Sequence, residues 1–333
     1  MGDDRRPPRV DIHRHYVPRF LIEEARAAPA IDGLRVDGNT AIHRQGYRYP
    51  LDAEFFDLGV LIESLDAGRV DHAVMSVTPT LYFYNCPADE TAHFCRRAND
   101  WISDLAAQSG GRISGMANLP MQDPIAATAE LERCVDDLGL RSAQIGTDIE
   151  GEPLDEPRFD RFFEAADALG VVLLLHPYFV GPRPGLEDYY LTNLVGLPLS
   201  TTTAAARLFL SGFFARHDVR FIFVHGGGYL PYKIGRLDRG HDVRPEASGR
   251  SMLRPSEWLD RVYFDTLTHD PAALRFLVEL VGADHVLFGT DLPFDMTDPD
   301  QGEAIDALPE EAARRVWGEN ALDLLGLPTP SLA

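Results

Sequence analysis

Two histidines stand two residues apart near the start of the chain, in the run Val10-Asp11-Ile12-His13-Arg14-His15. The run is short, apolar and β-like. Strand side chains alternate with a period of two, so His13 and His15 share one face while Ile12 and Arg14 share the other. Two imidazoles on one face, near the end of a strand, supply much of a metal site. Four further positions repeat the theme of an apolar run ending in one ionisable residue. Val171–Leu175 ends in His176-Pro177, and Arg220–Val224 ends in His225, followed by Gly226-Gly227-Gly228. Val262–Phe264 ends in Asp265, and Val286–Phe288 ends in Gly289-Thr290-Asp291. Imidazoles and a carboxylate from separate strand ends can converge on one cation.

The elements that must position these residues are read from periodicity. Strands are expected at Val10–His15, His72–Thr78, Ile113–Asn118, Ser142–Gly146, Val171–His176, Arg220–His225, Val262–Asp265 and Val286–Gly289. Helical stretches follow most of them: Glu90–Gln108, Pro124–Leu138, Glu156–Leu169, Thr203–Arg216, Tyr229–Arg239 and Pro271–Val281. The first strand waits until about Asp57–Ala67 for its helix. Alternating β and α units of this number predict an α/β fold, a (β/α)8 TIM barrel spanning 1–333 as a single domain. A doubly wound open sheet is the alternative, but no glycine-rich dinucleotide turn follows the first strand. Two insertions interrupt the repeat. Residues 21–56 read as a small β excursion, with strands near Ile31–Val36 and Gly46–Tyr49. Residues 177–202, rich in Pro, Gly and aromatics, read as a lid or interface loop.

Composition narrows the partners. Of 333 residues, 45% are hydrophobic and 25% charged, and the net charge is -21. So acidic a surface repels nucleic acid and anionic membranes, and neither is expected as a partner. Lys233 is the only lysine. The three cysteines, Cys86, Cys95 and Cys134, have no CxxC spacing and fit a reducing cytoplasmic setting. The opening MGDDRRPP lacks the apolar core of a signal peptide, and no uncharged apolar run reaches membrane-spanning length.

The HxH pair, the His-Pro, the stretch from His225 to Asp238 (HGGG to GRLD) and the stretch from Gly289 to Phe294 (GTDLPF) together resemble the amidohydrolase superfamily. Within it they resemble the branch of metal-dependent non-oxidative decarboxylases typified by 2-amino-3-carboxymuconate 6-semialdehyde decarboxylase. The resemblance runs from Asp11 to about Gly326. It implies His13, His15, His176 and Asp291 as ligands of one divalent metal, usually zinc, with manganese or iron as alternatives. It implies His225 as an acid/base that does not bind the metal, beside a metal-bound water. It further implies that Arg236 reaches a substrate carboxylate across a homodimer interface, with Arg44 or Arg48 in a similar role from the first insertion. Two-metal hydrolases of the superfamily carry a carboxylated lysine after strand four. Ser142–Asp148 contains no lysine, which points to one metal.

Such a site supports two chemistries. Bound zinc lowers the pKa of its water to about 7, and a histidine beside it has the pKa range to carry protons. The parts serve decarboxylation of a small aromatic or unsaturated carboxylate. They equally serve a hydrolase or hydratase acting on a lactone, an amide or an unsaturated diacid. The resemblance favours decarboxylation. So do the arginines near the expected mouth (Arg14, Arg44, Arg48, Arg183, Arg236, Arg244), whose planar forks suit a small-molecule carboxylate. Asp265 either orients a histidine ligand or caps the following turn. The remaining histidines, His43, His72, His93, His217, His241, His269 and His285, read as structural.

Overall fold

The computed structural model describes residues 6–179, 184–248 and 250–328. Eight strands pair in chain order. They are β1 (Val10–Tyr16), β2 (His72–Val77), β3 (Ile113–Gly115 continuing as Ala117–Asn118), β4 (Ser142–Gly146), β5 (Val172–His176), β6 (Arg220–Phe223), β7 (Val262–Asp265) and β8 (Val286–Leu287). Every neighbouring pair from β1 to β8 is parallel. The circle closes where Arg14 bridges Leu292 in parallel, and where the Ile12 amide donates to the Phe288 carbonyl at 3.0 Å. This is the (β/α)8 barrel.

Two apolar layers result from the period-two strands. Val172 and Leu174 of β5 join Val10, Ile12, Val74, Ile222 and Leu287 in a cluster that fills the barrel, with Leu324 and Leu325 beneath it. Leu173 and Leu175 instead face the helical layer. His176 continues the inward set, which places its ring at the top of the barrel.

The first strand needs one correction to the simple alternation. Val10 and Ile12 both point into the barrel, so strict alternation would turn His13 and His15 outward. Between Asp11 and Arg14 the register slips, three steps on β1 matching two on β2, from Ala73 to Met75. One extra residue reverses the alternation, and both imidazoles then face inward.

The insertions differ in detail from expectation. Residues 21–56 begin with the end of a helix, Arg19–Ala27, whose apolar residues Leu21, Ile22 and Ala25 are buried. The β excursion follows as an antiparallel sheet of Arg35–Asp37, Thr40–Ile42 and Arg48–Pro50, while Ile31–Gly33 forms a 3-10 turn. In the second insertion the chain becomes helical sooner than expected. Thr192–Gly196 forms a π-helical turn and Leu197–Leu210 an α-helix with Pro198 in its first turn, where proline's missing N–H is tolerated. The irregular stretch expected as a lid or interface loop is therefore shortened to 177–191, of which 180–183, including Arg183, lie outside the described residues. His225 is not in its strand: it opens a 3-10 turn at φ 56. No helix among the described residues is long and apolar enough to cross a membrane.

Candidate active site

Five strand ends deliver a cluster of imidazoles and carboxylates to the top of the barrel. The ring centroids of His13 lie 5.1 Å from His15, 5.0 Å from His176 and 5.4 Å from His225, and those of His176 and His225 are 5.1 Å apart. Asp291 enters at φ 61, its amide held by the His13 carbonyl at 2.7 Å. Its Oδ1 stands 2.9 Å from His15 Nε2 and 3.4 Å from His13 Nε2, and its Oδ2 stands 3.7 Å from His225 Nε2.

Each of three histidines has its Nδ1 engaged on the far side of the ring. His13 Nδ1 meets Asp265 Oδ2 at 2.7 Å, His15 Nδ1 meets Ser76 Oγ at 3.2 Å, and His176 Nδ1 meets the Pro177 carbonyl at 2.6 Å. A proton on each Nδ1 leaves the Nε2 lone pairs directed at one another. Those three Nε2 atoms and Asp291 Oδ1 are buried and have no hydrogen-bond partner. Four such ligand atoms lie within 4.8 Å of one another in the group His13, His15, His176 and Asp291. Buried polar atoms normally find partners, so this orphaned set fits a divalent cation with three nitrogen ligands and one oxygen ligand.

The electrostatics are consistent with that fit. Burial, aided by the neighbouring imidazoles, pushes His176 well below the usual range, and burial also lowers His15, keeping both as neutral donors. Burial opposes ionisation of Asp291, but His13 and the other imidazoles hold its carboxyl well below the usual range. For His13 burial is likewise outweighed, because Asp291 and Asp265 raise it to about 10. The pocket thus favours positive charge at its centre.

Asp265 performs both tasks the sequence left open. Its Oδ2 accepts from His13, while its Oδ1 accepts from the Gly226 amide at 2.7 Å and the Leu267 amide at 3.2 Å. It therefore orients one cluster imidazole and the turn that carries another. That turn runs through His225, Gly226, Gly227 and Gly228, all at positive φ. A Cβ at Gly228 would stand 2.3 Å from the Pro198 carbonyl oxygen and one at Gly227 2.6 Å from the Phe264 ring. Only glycine fits this close approach. Asp265→Asn is expected to lower metal affinity about 10- to 100-fold with little change in fold, read by titrating metal into the stripped protein.

Two cavities flank the cluster and share Asn193, Leu197, His225, Asp291 and Met296. The smaller, about 390 Å³, is walled by Tyr47, Phe179, Tyr190 and Phe294 and contains Arg48. The larger, about 600 Å³, is mainly apolar. Arg48 has no ion pair among the described residues, whereas Arg44 is bound to Asp32 at 2.7 Å and lines neither cavity. Arg14 is fully buried beneath the site, paired with Glu54 and with Asp11 at 3.5 Å, and Arg244 pairs with Glu246. Arg236 is exposed on the helix Leu230–Val243 and lines neither cavity of its own chain. Tyr178 packs, its hydroxyl 3.3 Å from Asp148. His241 bonds the Ser251 carbonyl and His72 the Gly111 carbonyl, both structural.

Sequence reasoning gave no separate role to three residues that line the cavities, one of them, Phe294, the last of the GTDLPF stretch. Tyr47 and Phe294 build the aromatic wall; each is adjacent or nearly so to a residue already singled out, and the signal was the company of Arg48 and Asp291. His269, read as structural, lines the larger cavity with His225 and Asp291.

Comparison with known proteins gives the same assignment. The sequence model described as "Amidohydrolase" matches residues 10–327. The chain is 33% identical over 282 residues to 2-amino-3-carboxymuconate-6-semialdehyde decarboxylase of Dictyostelium discoideum, covering 83% of this chain and 79% of the relative. It is 30% identical over 252 residues to gamma-resorcylate decarboxylase of a Rhizobium species, covering 71% and 77%. The structure of 5-carboxyvanillate decarboxylase from Sphingomonas paucimobilis superposes with a TM-score of 0.84 at 25% identity, covering 97% of this chain and 100% of that one. With a matched sequence model over nearly its whole length, a closed parallel barrel and a histidine–aspartate cluster at its top, this chain belongs to the amidohydrolase family.

Proposed function

We propose that the chain is a metal-dependent non-oxidative decarboxylase, a carboxy-lyase, of a small aromatic or unsaturated carboxylic acid. The observation that carries this reading is His225. Its imidazole stands 3.7 Å from Asp291, outside the orphaned ligand set, and opens onto both cavities. His13, His15, His176 and Asp291 would hold one divalent cation. When bound, such a cation supplies Lewis acidity, drawing electron density from substrate oxygens. Three imidazoles and one carboxylate accept zinc, manganese or iron.

The chain's own residues supply the rest. Arg48 pairs with a substrate carboxylate, its guanidinium lining the aromatic lobe with no ion pair among the described residues. Tyr47, Phe179 and Phe294 offer faces and edges to a planar acid; Tyr47 and Phe179 already stand 5.1 Å apart, and Phe294 packs on His15 at 5.4 Å. His225 delivers a proton to the carbon that bears the carboxyl group. The bond to the carboxyl carbon then breaks, CO2 leaves, and the bonding pair returns to the substrate's π system.

A second copy of the chain suits the open side of the larger cavity. Arg236 falls one helical turn beyond Tyr232, on the same face, and Tyr232 is 76% exposed. An exposed arginine beside exposed aromatics is suited to serving a partner's site in a homodimer. The three free cysteines suit a cytoplasmic setting.

The test is CO2 release from a panel of hydroxybenzoates and carboxymuconate-type acids by metal-loaded protein. Water uptake or ester and amide cleavage without CO2 would overturn the proposal in favour of a hydratase or hydrolase. Chelation should lower the activity by more than about 100-fold, and adding back manganese or zinc should restore it.

A further inference from the structure

Nine non-glycine residues among those described have positive φ, and four of them line the two cavities: Tyr190, His225, His269 and Asp291. Such backbone is disfavoured for residues with a Cβ and collects at functional positions. His225 and Asp291 are already accounted for by the cluster. His269 is not. It stands at φ 56 in the loop between β7 and the helix Pro271–Val281, whose N-cap is supplied by Asp270 rather than by His269. The local helix start therefore does not require the histidine.

Its surroundings are informative. The larger cavity is walled by Leu194, Leu197, Pro198, Phe276 and Leu277. Outside the residues shared with the aromatic lobe, its polar side chains are few. Thr268 donates to the Asp270 carbonyl at 3.2 Å, and the Tyr229 hydroxyl donates to the Val195 carbonyl at 3.4 Å. The Tyr232 phenol stands at the solvent-facing mouth. His269 is exposed on the rim of this cavity and has no hydrogen bond or ion pair among the described residues, so both ring nitrogens are open to water or to a ligand. A mostly apolar pocket with one strained, uncommitted imidazole is built to read a single polar group on an otherwise apolar molecule.

We propose that His269 is a specificity-determining residue, which hydrogen-bonds a hydroxyl or second carboxylate carried by the substrate on the side away from Arg48. The substrate is then an acid with a polar substituent at each end of a planar body, spanning both lobes across His225. This assignment rests on the reading that the two cavities form one substrate site.

The experiment is a binding cycle on the manganese-loaded full chain, with benzoate, its three monohydroxy isomers and the three benzenedicarboxylates as probes. Calorimetry would measure each on the wild type, on His269→Asn and on His269→Gly. Glycine removes the ring and relieves the backbone; asparagine tolerates the same φ and keeps a donor and an acceptor. At least one substituted acid should bind the wild type ten times or more tighter than benzoate. That preference should vanish in His269→Gly and partly return in His269→Asn, with benzoate affinity and metal content unchanged. No preference in the wild type, or one that survives in His269→Gly, overturns the assignment. Parallel CO2 measurements separate the two questions: a His269-dependent preference without CO2 release retains the residue's role and removes the decarboxylase reading.

Discussion

Asp291→Ala is expected to lose bound metal and to drop catalysis by about 10³- to 10⁵-fold, the equivalent of several kcal/mol of lost charge stabilisation. The size follows from how many tasks converge on one carboxylate. Asp291 Oδ1 faces His13 and His15, its Oδ2 faces His225, and its backbone is fixed by the His13 carbonyl. Removing it takes one of four ligand atoms from a buried set and leaves three imidazoles without their carboxylate. Elemental analysis beside a rate measurement checks this. Asp291→Asn is the control for the backbone, since asparagine also tolerates φ near 60°. A variant that keeps about one metal per chain and near-normal rates would remove Asp291 from the site.

His225→Asn should show the opposite division. The rate is expected to fall by about 10²- to 10⁴-fold, the usual contribution of a positioned acid or base, while metal content stays at the wild-type level. His225 stands outside the four ligand atoms, yet its side chain is 17% exposed where the cluster histidines are closed off, and its Nδ1 is buried without a partner. Of the four cluster imidazoles it is thus the one most open to substrate. Asparagine suits its φ of 56, so a fall in rate would not reflect a distorted turn. Loss of metal in parallel with activity would make His225 a ligand and end its acid/base role.

Much of this was legible from residue order because barrel strands report themselves twice, in apolar runs and in the ionisable residue that ends each run. His176, Asp265 and Asp291 were found that way. What stayed hidden depends on contacts between distant segments. The bulge between Asp11 and Arg14 leaves no mark in the alternation: Val10, Ile12, His13 and His15 read as a plain strand, and only pairing with Ala73 and Met75 reveals the added step. The helix Arg19–Ala27 was masked by the β signals that follow it. The difference between Arg44 and Arg48 lies in Asp32, twelve residues from Arg44, which captures one guanidinium while the other has no ion pair among the described residues. His269 could be recognised only from its φ and from the cavity it lines.

The closure of the barrel has a consequence for how the chain tolerates change. β1 meets the segment that follows β8 through one bridge, Arg14 to Leu292, and much of the remaining stitching is done by the cluster and its immediate neighbours. Asp11 Oδ1 accepts from the His13 amide and from the Thr290 amide, its Oδ2 accepts from the Thr290 hydroxyl, and the Asp291 amide donates to the His13 carbonyl. The two ends of the folded domain, nearly 280 residues apart in sequence, are clasped by Asp11, His13, Thr290 and Asp291, of which His13 and Asp291 belong to the cluster itself. Robustness and reactivity are thus drawn from one small set of positions. Many barrels can exchange reactive residues on a frame that stands without them. Here an edit at His13 or Asp291 loosens the hoop as well as the cluster, and one at Asp11 or Thr290 loosens the hoop that carries it. Evolutionary drift towards new substrates is therefore steered away from this clasp and into the walls of the two lobes.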